Sequence, residues 1–558
     1  MNKKEKFYDC GDLNKKNISE KINIRGWIKK KRPIKNKIFI DLYDMHGITQ
    51  LLFLETNKNS YLFAKTATNE SVIQVEGEVL LRKTKNTLLK TGEIEVLVQK
   101  AKQLNQFAEG FPIDINNIEE ILSEKHLKFR HLFLRNPQVK ANLIFKHQVI
   151  KFLHQFFLKN NFIEIETPVL SRSYPEGARE FKVFSEAEKE AKYTLAQSPQ
   201  IFKQLLMVGG FERYYQIAKC FRDETLRSDR QPEFLQLDFE MNFVSEKEIF
   251  HLVKKLLSFL WKKTKQVKKP QFKILTYKKA IMDYGIDKPD LRNLTKVKVV
   301  NQPEVIQQLK RSLFKQGIIK FIGFNKKINN PLKIFINKLL LEQRGKINCF
   351  YWEKHCQTFS SLITNKEKLK VDFGKEEKSP FGLFFVGENK IVNLIAGLTR
   401  NELIKLSFLP PQEEFSFVWI NNWPMFTVDE KTNTLVASHH PFTALKESSK
   451  QQVKKEKLLA CAYDLVINGY EVGSGSIRNH DAKKQIEIFK MLGFNQEKIK
   501  AFSFFTEALK YGCPPHGGFA IGLDRLLMII KKISTIKELI TFPKNSRGVC
   551  EMTKNDEK

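Results

Sequence analysis

The sequence predicts an α+β chain of several domains: a small N-terminal β-barrel, then an antiparallel sheet with helices, interrupted by an inserted α+β domain. Three observations lead there. Short strands of period two fill residues 21–103. Beyond a connector, helix and strand patterns alternate up to about residue 283 and resume from 412. Between them, from Tyr284 to Pro411, periodicity weakens and Lys and Asn accumulate, the texture of an insertion. The 558 residues agree with about three domains at roughly 100–200 residues each. The boundaries read 1–105 for the barrel, 106–135 for a hinge, 136–283 and 412–558 for the two parts of the sheet domain, and 284–411 for the insertion.

In the barrel, Ile38, Ile40 and Leu42 alternate with Phe39, Asp41 and Tyr43, and Ile73, Val75 and Val79 alternate with Gln74, Glu76 and Glu78. Ile94, Val96 and Val98 repeat the period, and a helical stretch, Tyr61 to Ala67, precedes the fourth strand. A five-stranded barrel of this kind binds single-stranded nucleic acid on one face or serves as a plain structural module. Net charge alone does not choose between them: 95 Lys+Arg against 62 Asp+Glu leave +33, which attracts a polyanion. Part of that excess is compositional, because Lys, Asn, Ile and Phe are abundant throughout. Met1 to Asp12 lacks the apolar core of a signal peptide, and no apolar run approaches the ~20 residues of a membrane helix. The seven cysteines are scattered without a CxxC pair, which argues against a disulfide scaffold or structural zinc. A soluble cytoplasmic protein with no membrane partner is expected.

After the hinge, Val139, Leu143, Val149, Phe152, Leu153, Phe156 and Phe157 mark a helix face ended by Asn160-Asn161. A strand from Phe162 to Pro168 follows, confined to an edge by its proline. Tyr214–Arg222 and Phe234–Phe243 read as paired strands joined by a loop rich in Arg and Asp. The second has an apolar face (Leu235, Leu237, Phe239, Met241, Phe243) and a mixed one (Phe234, Gln236, Asp238, Glu240, Asn242). The polar groups either face solvent or line a cavity where a ligand satisfies them. Arg222, at the end of the partner strand, presents a planar fork suited to phosphate.

Asn468-Gly469 between apolar runs is a strong hairpin signal. A two-residue turn pairs Ile467 with Tyr470, Val466 with Glu471 and Asp464 with Gly473, so Asp464 and Glu471 share a face as diagonal neighbours about 7–8 Å apart. Two such carboxylates need a cation, either Mg²⁺ completed by phosphates or a Lys or Arg counter-charge. A bulge at Gly473-Ser474-Gly475 would bring Arg478 to the same face, which plain alternation would not. Finally, Gly517 to Arg525 reads as a Gly-spaced strand delivering an Arg at a helix start, a place that suits an anion.

Together these segments resemble the three signature motifs of the class II aminoacyl-tRNA synthetases, in their usual order. The helix and strand ending at Pro168 resemble motif one, Phe221-Arg222-Asp223-Glu224 with its returning strand motif two, and Gly522-Leu523-Asp524-Arg525 motif three. The words Gln197 to Lys203, Asp229 to Phe234, His439 to Thr443 and Gly469 to Gly473 are similar to those of the bacterial-type aspartyl-tRNA synthetases. The resemblance runs from the barrel to about Met552.

It implies an OB-fold anticodon-binding barrel, a class II catalytic domain and the inserted domain of the bacterial-type enzymes. The implied activity is aspartate–tRNA ligation on a homodimer, with ATP and L-aspartate as substrates, Mg²⁺ as cofactor and tRNA(Asp) as acceptor. A runner-up charges tRNA(Asn) as well, and a remote alternative is a non-catalytic RNA-binding relative. The resemblance assigns ATP to Arg222, Asp223, Glu224, Gln231, Phe234, Glu471, Gly522, Leu523, Asp524 and Arg525, with Arg222, Glu471 and Arg525 catalytic and Asp464 with Glu471 on Mg²⁺. It assigns aspartate to Glu176, Ser198, Gln200, Lys203, Arg222, Asp238, His439 and Arg478, and the anticodon to Arg32, Phe39 and Gln50. Departures are a Lys-rich first barrel loop (Lys30 to Lys37) in place of arginines followed by Asp and Gly, Ser474 for a usual Gly, and a patchy match over the insertion, best at Leu383 to Lys390.

Overall fold

The computed structural model describes residues 7–106, 112–115, 117, 123–173, 179–185, 188–303, 305–306, 317–343, 345–355, 358–361, 368–370, 373, 377–429, 434–447 and 455–554. The chain divides into two compact units, Met1–Asp114 and Ile115–Lys558.

In the first unit, strands Lys21–Ile34, Lys37–Tyr43, Ile48–Leu54, Ile94–Asn105 and Val72–Leu81 lie side by side in that order. The last pairs back onto the first, which closes the barrel, and helix Lys58–Thr66 precedes Val72–Leu81 in the chain. Alternation sends Ile24, Ile40, Leu42, Phe53, Val75 and Val96 into a dry interior. Phe39 stands opposite both Arg32 and Leu52, and Asp41 opposite Gln50, so Arg32, Phe39, Asp41 and Gln50 project from one side.

The second unit is built on an eight-stranded sheet. Its order is Phe272–Thr276, Phe417–Pro424, Leu459–Ile467, Tyr470–Ile477, His516–Gly522, Glu233–Asn242, Arg213–Phe221 and Ile163–Glu164. The pairs are antiparallel except at the two edges, which are parallel. Helices Pro137–Lys159, Glu246–Lys263 and Leu523–Lys531 bury their apolar stripes on one face, against Leu237, Phe239, Trp419, Leu465 and Phe519. The first of these helices begins at Asn136, whose side chain accepts from the Gln138 and Val139 amides. The second begins at Ser245, whose amide donates to Glu248. Within residues 284–411 a six-stranded antiparallel sheet carries helices Asn330–Glu342 and Asn389–Lys405 on one face. Among the described residues no helix is long and apolar enough to cross a membrane.

Two expectations change at strand ends. The strand expected over Phe162 to Pro168 is only Ile163–Glu164: those two residues pair with Tyr214 and Tyr215 at the sheet edge, the Ile165 amide adds one bond to the Tyr215 carbonyl, and Pro168 has no amide to donate. Phe243 does not continue the apolar face of its strand: its φ is +56°, the chain turns, and its ring is 70% exposed.

Gly518 sits opposite Glu240 in the sheet, and an added Cβ would lie 2.0 Å from Glu240 Oε2 and 2.2 Å from the Phe239 carbonyl. Gly518→Ala should therefore destabilise the second unit by about 1–3 kcal/mol, read as a lower urea midpoint. Gly522→Ala, whose Cβ would meet nothing nearer than 3.7 Å, should leave the midpoint close to that of the unaltered chain.

Candidate active site

The face of the eight-stranded sheet away from the long helices carries a cavity of about 600 Å³. That is ample for a nucleotide and a small acid. Alternation along Glu233–Asn242 turns Gln236 and Asp238 toward it while Leu237 and Phe239 enter the core.

At its floor four charged side chains are each at most 1% exposed: Lys203, Asp238, Glu240 and Arg478. Lys203 Nζ donates to both Asp238 oxygens at 2.8 and 3.0 Å and lies 3.3 Å from Glu240 Oε2. Arg478 grips Glu240 through Nε at 2.8 Å and Nη2 at 3.0 Å. Its Nη1 donates to Ser476 Oγ and His440 Nε2, each at 2.6 Å. Burial raises the Asp238 carboxyl and Lys203 only partly offsets it. Burial would raise Glu240 too, but Arg478 and Lys203 outweigh it and hold that carboxyl below its usual range. The guanidinium can only donate, so His440 Nε2 is an acceptor and the ring is neutral; burial first, then Arg478, keep it so. Above this floor, Gln200 Nε2 is a buried donor with no hydrogen-bond partner among the described residues, and Ser198 Oγ accepts from the Gln200 amide.

The Asn468-Gly469 hairpin departs from the expected register. Ile467 faces Tyr470 and Val466 faces Glu471, but Leu465 pairs with Gly473 and Asp464 with Ser474. Val472 is the extra residue, so the bulge lies just before the glycines rather than at them. Its effect is the one expected of a bulge: Glu471, Ser474 and Arg478 all line the cavity. Gly473 must stay small because the Phe519 ring fills the space a Cβ would take. Asp464 is buried beneath the lining, 3.8 Å from His439 Nδ1, and its Oδ1 has no hydrogen-bond partner. Burial and the neighbouring Glu471 push the Asp464 carboxyl well up. Burial acts on Glu471 in the same sense, but Lys288, 2.7 Å from its Oε2, outweighs it and lowers that carboxyl.

Arg222 and Arg525 both line this cavity, each with a buried Nε that has no hydrogen-bond partner among the described residues. Arg222 lies over the Phe234 ring at 5.3 Å. Arg525 bonds the Glu471 carbonyl at 2.5 Å and pairs with Asp229 at 3.0 Å. Glu224, paired with Arg230 at 2.8 Å, and Gln231, bonded to the Lys544 backbone, complete the wall. Of the residues assigned to ATP, Asp524 lines the cavity while held by other residues, and Leu523 and Asp223 do not line it. Leu523 points into the core. Asp524 is 3% exposed and accepts from Lys146 Nζ at 2.5 Å and the Leu235 amide. Asp223 lies off the cavity lining, in a backbone bridge with Arg179. Gly522 lines the cavity, and Glu176 falls outside the described residues.

In the barrel, Arg32 makes two bonds to Asp41, at 2.5 and 2.8 Å, and one to Gln50. Gln50, expected to offer its amide to a base, is 6% exposed, with its oxygen taken by Arg32 and Arg82 and its nitrogen by Glu95. Phe39 is half-buried beside this network. Sequence reasoning missed Glu240 as the mate of Arg478, His440 as its acceptor, and Lys288 altogether. Glu240 was legible in the alternation of its strand; Lys288 stood in a segment read as insertion and carried no signal.

This fold and this site define a nucleotide-activating synthetase of the antiparallel-sheet type. The chain belongs to the class II tRNA synthetases (D, K and N), whose family matches residues 122–546, and residues 22–104 match the OB-fold nucleic acid binding domain. It is 40% identical to an aspartate–tRNA(Asp/Asn) ligase of Dictyoglomus turgidum over 98% of this chain and 94% of that protein. It is 37% identical to an aspartate–tRNA ligase of Macrococcus caseolyticus over 98% and 95%. The asparaginyl-tRNA synthetase of Pyrococcus horikoshii, solved with asparaginyl-adenylate, superposes with a TM-score of 0.61 at 20% identity over 97% and 98% of the two chains, a likeness of fold.

His439 generates a pH prediction. Burial lowers its pKa from 6.5 to about 4. Below pH 6.5 the unfolded chain takes up a proton that the folded site refuses, so its contribution to stability is full above 6.5 and is lost as pH falls toward 4. His439→Gln should flatten the acid limb of a melting-temperature profile between those values; an unchanged limb would mean the ring titrates normally.

Proposed function

We propose that this protein is an aspartate–tRNA ligase. It activates L-aspartate with ATP and transfers it to the 3′ end of tRNA(Asp). The observation that supports this most is the floor of the cavity, where two cations and two carboxylates are buried together. Lys203 and Arg478 offer their remaining donor capacity to the side-chain carboxylate of aspartate, while Asp238, Gln200 and Ser198 address its ammonium end. The resemblance adds Glu176 to that end, and His439, which lines the cavity, sits by the amino acid. The α-carboxylate then attacks the α-phosphorus of ATP in line, the bond to the bridging oxygen breaks, and pyrophosphate leaves. Arg222 takes the charge growing on the α-phosphate, Arg525 grips the γ-phosphate, Phe234 stacks on adenine, and Glu224 and Gln231 hold the adenosine. A terminal ribose hydroxyl of the tRNA next attacks the adenylate carbonyl and AMP departs. No side chain becomes a nucleophile, so positioning and preorganised charge carry the rate.

Asp464 and Glu471 suit Mg²⁺, since a buried carboxylate oxygen without a partner lies beside a second carboxylate. When bound there, the ion neutralises the phosphates of ATP. The barrel binds the anticodon on the side carrying Arg32, Phe39 and Gln50, with the ring of Phe39 as platform and the Arg32–Gln50 network behind it. The protein works in the cytoplasm as a homodimer, a reading supported by exposed Ile144, Leu158, Ile163 and Leu170 along the motif-one helix and edge. A second reading, in which tRNA(Asn) is charged too, is supported by the name of the Dictyoglomus relative and by the altered loop at Pro33 to Lys37.

Aspartate-dependent ATP–pyrophosphate exchange tests the chemistry. Asparagine should be rejected by ~10⁴ or more, because the remaining donors of Lys203 and Arg478 would then meet an amide nitrogen that cannot accept from them. Arg478→Leu should abolish exchange while ATP still binds; normal aspartate activation in that variant would overturn the assignment. Phe39→Ala should weaken charging by roughly 5–100-fold, the cost of one lost stacking contact, with exchange intact. Charging tRNA(Asp) and tRNA(Asn) side by side decides between the two readings, and equal losses of exchange and charging would reduce Phe39 to a barrel core residue.

A further inference from the structure

Lys288 stands in the segment read from sequence as insertion, yet its side chain lines the cavity and its Nζ lies 2.7 Å from Glu471 Oε2. It stays 37% exposed, so the pair is not sealed. The main chain around it is held tightly. Asn401, on helix Asn389–Lys405, donates to the Lys288 carbonyl and accepts from the Asp290 amide, each at 3.0 Å. Arg400, fully buried on the same helix, donates to the carbonyls of Asp290 at 2.8 Å and Thr295 at 2.6 Å and to that of Asn293. The tip of the active-site hairpin touches this clamp: a Cβ on Gly469 would lie 3.1 Å from Asn401 Nδ2 and 3.3 Å from Asp290 Cβ. A rigid base thus carries a flexible four-carbon stem with a cationic end, aimed at the carboxylate that faces the phosphates.

Resting on the reading of this cavity as an ATP site, we propose that Lys288 is a mobile counter-cation of that site, presented by the Arg400–Asn401 clamp of the inserted domain. Before nucleotide arrives it neutralises Glu471 and so keeps Asp464 and Glu471 from repelling each other. When ATP enters with its divalent ion, Glu471 gains a stronger partner and the ammonium passes to a phosphate oxygen of the β,γ end, which leaves as pyrophosphate. The insertion is then part of the catalytic apparatus through one helix rather than an appendage. Lys288 is a binding residue in this scheme; Arg400 and Asn401 are positioning residues.

The test uses the full-length protein with Lys288→Met, Lys288→Arg and Asn401→Ala. Mn²⁺ binding without nucleotide is read by electron paramagnetic resonance, and KM values by exchange in both directions. In Lys288→Met the Mn²⁺ affinity without nucleotide should rise about tenfold or more, because the carboxylates lose their resident cation. The KM for ATP and for pyrophosphate should rise about tenfold, with the KM for aspartate within about twofold. Lys288→Arg should restore most of each change, which separates charge from folding. Asn401→Ala should raise the KM for ATP about threefold through lost positioning. Unchanged Mn²⁺ affinity or unchanged KM for ATP in Lys288→Met overturns the proposal, and an unchanged KM for ATP in Asn401→Ala overturns the part given to the insertion. Absence of exchange in the unaltered protein overturns the functional reading itself, a result distinct from either.

Discussion

Four charges buried on one sheet face, Lys203, Asp238, Glu240 and Arg478, constrain the rest of the catalytic unit. None can leave water without partners, and removing a single member would strand a charge in a low-dielectric site. Glu240 therefore has to meet both cations at once: Arg478 through two bonds and Lys203 at 3.3 Å. That requirement sets the register of the central strands. Gly518 must be small where Glu240 passes, and Ser476, two residues before Arg478 in the chain, accepts from its guanidinium. In the function proposed here the quartet recognises aspartate, and its mutual pairing leaves little reorganisation for the reaction.

The bulge at Val472 is the second constraint. Without an extra residue, Glu471 and Arg478 would point to opposite faces of the sheet. With it, both line one cavity, and in the function proposed here they serve its phosphate end and its amino-acid end. In that reading the donors without a partner among the described residues divide likewise, Arg222 and Arg525 Nε at the nucleotide end and Gln200 at the other. Carboxylates, by contrast, are paired almost everywhere in the cavity. Among the described residues the exception is Asp464 Oδ1, beside Glu471, where Mg²⁺ is proposed to bind.

Placement of the insertion changes how the catalytic unit is understood. Its own sheet and helices form separate cores, as an appended domain would. Yet Arg400 and Asn401 reach back to hold a loop that puts Lys288 on Glu471. A cation from the insertion thus becomes one of the nearest neighbours of a residue on the central hairpin. The barrel shows the opposite pattern: Arg32, Asp41, Gln50, Arg82 and Glu95 satisfy one another, which stiffens the surface around Phe39.

The sequence by itself determined the strand-rich barrel, the helix face ending at Asn160, the alternating faces of Glu233–Asn242 and the Asn468-Gly469 turn. Each of these rests on local periodicity or on a turn residue, and such signals are complete within a few neighbours. The family resemblance likewise lay in short contiguous words, so Lys203, Arg222, Asp238, Glu471, Arg478 and Arg525 could be named in advance. Tertiary structure alone decided the partners. That Glu240 joins Lys203 to Arg478, that Gln50 is spent on Arg32, Arg82 and Glu95, and that Asp524 serves Lys146 are contacts between residues 18 to 378 positions apart. It also placed the bulge one residue ahead of the glycines and put Lys288 on Glu471. Pairing of charges depends on which side chains share a low-dielectric space, and no pattern along the chain encodes that space.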